Sequence, residues 1–225
     1  LIDRRLCPER IPFREIAELV DRGRKMEIYA WLLMPGDSAD EWEDYAELCH
    51  THRDSVFGLC VSPAFMSPEI QDAAAEIPNL MLLLDTDAEG WQELAGELER
   101  RGCMFSAFRT VSDEADASEI LSGNWFGEMV PCHPLVAFTF IADDCPEQTA
   151  EAVARYMWDT RLDQVYPILP SDLISDFLII SRLVSHKEVL FRIEADGTVA
   201  EGIGRHFVRS DLQCRKLFKP ADPAQ

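Results

Sequence analysis

Aspartate closes one apolar run after another in this chain. Asp37 comes after the run ending at Met34, Asp85 and Asp87 after Leu80–Leu84, Asp143 and Asp144 after Leu135–Ala142, and Asp172 after Val165–Leu169. Ser62, Arg109 and Ser171 stand at comparable places. Carboxylates brought to one mouth supply a paired general acid and base, or an oxygen-rich ring for Mg²⁺ or Mn²⁺. An arginine among them would contact an anionic group of a ligand. The candidate catalytic residues are therefore Asp85, Asp143 and Asp172. Ligand contacts fall to Asp37, Ser62, Asp87, Arg109, Asp144 and Ser171. A divalent cation is compatible with this set, and the sequence does not say which residues would hold one. A plainer reading competes: Asp and Ser are also favoured helix N-caps, and each of these positions precedes a helix.

Other chemistries find less to stand on. Cys49, His50 and His52 are close in sequence, as are Cys132 and His133, but neither spacing is that of a zinc knuckle. Cys49 belongs on a helix face, and His50 and His52 are expected at an exposed helix end. Gly202-Ile203-Gly204 is too short for a dinucleotide loop, and neither a Gly-x-Ser-x-Gly elbow nor a phosphate-cradling glycine loop is present.

The elements that must position these residues follow a repeated grammar of apolar run, polar turn and helix. Pro12 suits a first helical turn, Ile16, Leu19 and Val20 give its apolar face, and Gly23 reads as its stop. Met26–Met34 reads as a strand and Pro35-Gly36 as a turn. Ser38 with Glu41 forms a capping box for a helix whose face is Trp42, Tyr45, Leu48 and Cys49. Strands are expected at Ser55–Ser62, Leu80–Asp85, Cys103–Arg109, Leu135–Ala142 and Val165–Leu169. Helices are expected from Ser67-Pro68 to Ile77, at Ala88–Arg101 before Gly102, around Glu119, at Pro146–Thr160 and at Ser171–Leu183. Val189–Glu194 and Thr198–Ile203 flank Asp196-Gly197, a hairpin signal within an extension over about 187–214. The tail from Arg215 reads as frayed.

Strands apolar along their whole length and separated by helices indicate a parallel sheet covered on both faces. The fold class expected is α/β, a single domain over residues 1–225. It would be a partial (βα) TIM-barrel-like parallel sheet of about six strands closed by a C-terminal β-hairpin, with a doubly wound open sheet as the alternative. Either way, ligands bind at the carboxyl ends of the strands.

Of the 225 residues, 47% are hydrophobic, enough for a core, and the net charge is −20. Such a surface repels nucleic acid and anionic membranes, leaving a small-molecule ligand as the expected partner. A non-catalytic protein whose acidic surface meets a basic partner is a further alternative. The seven cysteines are odd in number and lack CxxC spacing, which fits reduced thiols in the cytoplasm. No apolar run reaches the ~20 residues of a membrane span. The sequence starts at Leu1 without a signal-peptide pattern, and an upstream segment is compatible with it.

The step from Met26 to Leu48 resembles a known family. A strand ending in Met34-Pro35-Gly36-Asp37-Ser38, then Asp40-Glu41 and a helix, is similar to the middle of radical S-adenosylmethionine (βα) barrels. The helix ending at Gly23, the strand ending in Ser62-Pro63 and the hairpin around Asp196-Gly197-Thr198-Val199 fit the same outline. The family's CxxxCxxC cluster motif is absent, so no cluster or cofactor residue is carried over. The resemblance implies the substrate-binding part of such an enzyme. An iron–sulfur cluster and S-adenosylmethionine would then be held by an upstream half. Asp85-Thr86-Asp87 also looks like the opening of haloacid-dehalogenase-like phosphatases, but Ala88-Glu89 follows and the motif is internal.

Overall fold

Runs such as Leu80–Asp85 are too short for a stable helix and too apolar for an exposed edge, and they form parallel strands between helices. The computed structural model describes residues 2–3, 12–25, 28–34, 41–142, 145–159, 166–168, 190–193, 198–203 and 206–213. Side chains are described within 12–25, 28–34, 41–142 and 145–157. The fold is α/β with parallel strands. The chain divides into two compact units, Leu1–Leu59 with Ile77–Leu80 and Val189–Gln225, and Cys60–Glu76 with Met81–Glu188.

In the first unit, helix α1 (Phe13–Arg24) precedes strand β2 (Ala30–Met34), and helix α2 (Trp42–Thr51) precedes β3 (Val56–Val61). β2 pairs in parallel with the short β1 (Ile2–Asp3) and with β3, in the register Ala30↔Val56 to Leu33↔Leu59. Ile16, Leu19, Val20 and Gly23 are the buried face of α1. Gly23 does not stop the helix, which runs on to Arg24. A Cβ there would lie 2.6 Å from the Trp31 ring, so glycine is required by close packing. On α2, Trp42, Tyr45, Leu48 and Cys49 are buried together, as their spacing requires.

His52 departs from expectation. It is buried at 3% exposure, whereas His50 is exposed. The reason is long range: Arg24 Nη1 donates to His52 Nδ1 at 3.0 Å, and Arg24 Nη2 meets the Asp54 carboxylate. Asp21 lies 3.8 Å from His52 Nε2. Asn79 Nδ2 donates to the carbonyls of Cys49, His52 and Ser55 at 2.9–3.1 Å, joining the end of α2 to the turn into β3; the His52 carbonyl also accepts from the Ser55 amide at 3.0 Å.

In the second unit, β4 (Leu80–Asp85), β5 (Phe105–Val111), β6 (Val136–Ile141) and β7 (Tyr166–Ile168) pair in parallel in that order. Helix α3 (Pro68–Ala75) opens on Ser67, whose Oγ accepts from the Ile70 amide, with Pro68 in the first turn. Helix α4 (Trp91–Arg101) has Gly90 as its N-cap and starts three residues later than Ala88–Arg101 predicts, and Gly102 closes it. Both glycines have positive φ, 82° and 76°, a conformation other residues seldom adopt. α5 (Glu114–Leu121) is capped by Asp113, which accepts from the amides of Ala115 and Asp116. α6 (Asn124–Met129) and, after β6, α7 (Glu147–Asp159) complete the set. The helix expected over Ser171–Leu183 and the turn Ala195–Gly197 lie outside the described residues.

Register fixes which face each strand residue serves. In parallel pairs, partnered residues point the same way and neighbours alternate. Asp85 pairs with Phe108, and Phe108 with Phe138, whereas Arg109 pairs with Thr139. Thr139 is fully buried and reaches Met157 of α7 at 3.6 Å, which places its face, and that of Arg109, on the helix side.

Candidate functional site

Four of the nine residues nominated from sequence are described: Ser62, Asp85, Asp87 and Arg109, all in the second unit. Asp37, Asp143, Asp144, Ser171 and Asp172 lie outside the described residues. None of the four caps a helix. The N-caps of α3, α4 and α5 are Ser67, Gly90 and Asp113. Helix capping therefore does not account for them.

β5 outruns β4. The last residue of β4, Asp85, pairs with Phe108, and Arg109, Thr110 and Val111 continue beside the β4–α4 loop. That loop turns back on its own carboxylate: Asp85 Oδ1 accepts from the Asp87 amide at 3.0 Å, an Asx turn. Thr86 ties it to β5. Its amide and its hydroxyl both donate to the Phe108 carbonyl, at 3.1 and 3.0 Å, using both lone pairs of that oxygen. The Thr86 hydroxyl in turn accepts from the indole N–H of Trp125 in α6 at 2.9 Å, and Trp125 is 2% exposed. Neither Thr86 nor Trp125 was nominated from sequence. Trp125 lies 39 residues downstream, and only the alternation of a hydroxyl between two aspartates hinted at Thr86.

The loop so held delivers Asp87 to Arg109, with Oδ1 to Nη2 at 3.1 Å. The guanidinium is mostly buried, with its side chain 17% exposed, while that of Asp87 is 45% exposed. Arg109 Nε is fully enclosed and has no hydrogen-bond partner among the described residues. Asp116 of α5 accepts from the Ser112 amide at 2.9 Å and adds a second negative charge near Asp87. Burial pushes the Asp87 carboxyl above its ordinary range, Arg109 pulls it down, and the charges of Asp85 and Asp116 push it up again.

The alternation of β4 and β5 therefore separates two nominated residues. Asp85 shares the Phe108 face of the sheet, where Phe108 meets Phe140 edge-on with centroids 5.6 Å apart, and Arg109 belongs to the other face. Only Asp87, on the loop, bridges to Arg109. Ser62 serves the neighbouring turn through its carbonyl, which accepts from Phe65 N at 3.0 Å. Pro63 of that turn is the nearest neighbour a Cβ on Gly90 would meet, at 3.9 Å.

Among the described residues no group of three His, Cys, Asp or Glu is placed to hold a metal ion. The softer candidates are spoken for. Burial pushes the Cys49 thiol up to about 12, His52 accepts from Arg24, and His133 meets Glu99 at 3.1 Å. Among these residues no helix is long and apolar enough to cross a membrane. Compared with known proteins, the chain matches no family profile and no curated relative.

Proposed function

We propose that this protein binds a small anionic molecule at the carboxyl ends of its strands, with Arg109 as the anchor. The observation that carries this is the state of Arg109. It is a mostly buried cation at a strand end, with one terminal nitrogen engaged by Asp87 and its enclosed Nε without a partner among the described residues. Leaving a buried donor unpaired is costly, and an oxyanion approaching edge-on pairs with Nε and a terminal nitrogen together. The net charge of −20 repels anions at long range, so recognition rests on this local donor set. Asp87, the carboxylate already on Arg109, is the residue next to the bound anion, while Asp85 shapes the turn that carries it. The barrel-like curl and C-terminal hairpin belong to the same proposal. Their support is the parallel order of β4 to β7 and the antiparallel backbone pairing of Leu190–Ile193 with Thr198–Ile203.

The test is a thermal-unfolding screen against sulfate, phosphate and acetate at constant ionic strength. At least one should raise the midpoint of the wild type, and none that of Arg109→Gln. A flat response of the wild type to all three would overturn the reading.

The likeness of residues 26–48 to radical S-adenosylmethionine barrels stands as an alternative proposal. Its support is the order α1, β2, α2, β3, with β3 running into Ser62-Pro63. Iron and acid-labile sulfide in anaerobically prepared full-length protein test it, and their absence removes it.

A further inference from the structure

Asp87 occupies the place on Arg109 that an incoming anion needs. Its carboxylate takes Nη2, the terminal nitrogen shared by the two guanidinium edges on which an oxyanion could pair twice, and its side chain is half exposed. What surrounds it on departure is unfavourable to a second negative charge. Asp85 lies two residues back in the same turn and Asp116 projects from α5, and Arg109 is the cation that offsets them.

We propose that anion binding at Arg109 displaces the Asp87 carboxylate and is coupled to uptake of a proton by it. The inference rests on the anion-site reading above and adds its regulation: affinity for the anion rises as pH falls. Among the described residues, the charged groups facing Asp87 are Arg109 from β5, Asp85 from β4 and Asp116 from α5. With the guanidinium engaged by the anion, the two carboxylates and the bound charge all favour the protonated form. Burial already raises this carboxyl in the free protein, in the same direction. The proton comes from solvent and stays on a carboxyl oxygen of Asp87, with no other bond made or broken.

Sulfate is the probe, because it carries no proton of its own near neutral pH. It would be titrated into the full chain by calorimetry at pH 6 in MES and in Bis-Tris, whose ionisation enthalpies differ. The expected result is a binding heat that depends on the buffer, showing uptake of a fraction of a proton. Asp87→Asn should abolish that dependence and bind sulfate about threefold tighter, a gain of the size an exposed ion pair represents when its competition is removed. Sulfate bound by the wild type with the same heat in both buffers would overturn the coupling and leave the anion site standing. No sulfate bound by either protein, each shown folded by circular dichroism, would overturn the site and the coupling with it.

Discussion

Two arginines in this protein are each held by an aspartate, and their surroundings differ. Arg24, in the first unit, lies near the amino end of β3, with both terminal nitrogens taken, one by His52 and one by Asp54. Around it Asn79 gathers three carbonyls, so the turn from α2 into β3 is fastened from several sides. Arg109, in the second unit, stands at the carboxyl end of β5 with one carboxylate on Nη2 and an enclosed Nε left over. Each guanidinium keeps an enclosed Nε without a hydrogen-bond partner among the described residues. The difference lies in the terminal nitrogens: two residues, His52 and Asp54, hold those of Arg24, whereas Asp87 engages Nη2 of Arg109. On the anion-site proposal, Arg109 would follow the general rule that ligands meet parallel α/β sheets at the carboxyl ends of the strands.

The sharpest way to break this contrast is Asn79→Ala. It strips three carbonyls of their shared donor and should cost about 2–4 kcal/mol in urea unfolding, while sulfate affinity stays within error. A loss of affinity as large as the loss of stability would show that the two arginine sites are not functionally distinct. Gly23→Ala forces a methyl against the Trp31 ring and should cost about 1–3 kcal/mol, again without touching the anion site. Thr86→Val should reverse the pattern. Losing the hydroxyl that joins Trp125 to Phe108 costs about 1–2 kcal/mol, and sulfate binding should fall because the loop carrying Asp87 is then held to β5 by the Thr86 amide without the hydroxyl.

The smallest effect expected is on the pH profile. The Asp87 carboxyl is raised in the folded state, so the folded protein binds its proton more tightly than the unfolded chain does. Its contribution therefore favours folding at low pH and is lost as pH rises through the ordinary aspartate range to the raised folded value. Asp87→Asn should flatten the stability curve over that interval, measured by thermal unfolding at a series of pH values. An unchanged slope would mean that the exposed half of the side chain hides it from its neighbours.

What the sequence made legible were features whose cause is local. Ser67-Pro68 is a helix start because a hydroxyl and a ring fixed at the right φ act within one turn, and the structure has that cap. The face of Trp42, Tyr45, Leu48 and Cys49 follows from helical period alone. What it hid depends on partners far along the chain. His52 looked exposed because Arg24, which buries it, lies 28 residues earlier. Gly23 looked like a terminator because nothing in its neighbourhood announces the Trp31 ring. The strand-end residues were found from type and position, but not their faces. Putting Asp85 on one side and Arg109 on the other requires the register of β4 against β5, and a shift of one residue would have reversed it.

The doubly engaged carbonyl of Phe108 has a kinetic consequence. Because the Thr86 amide donates to it, that proton exchanges with solvent only when the β4–α4 loop lets go of β5. Hydrogen exchange at this single amide therefore times the opening of the loop, and its slowing or quickening on adding sulfate reads whether a ligand clamps the loop or loosens it.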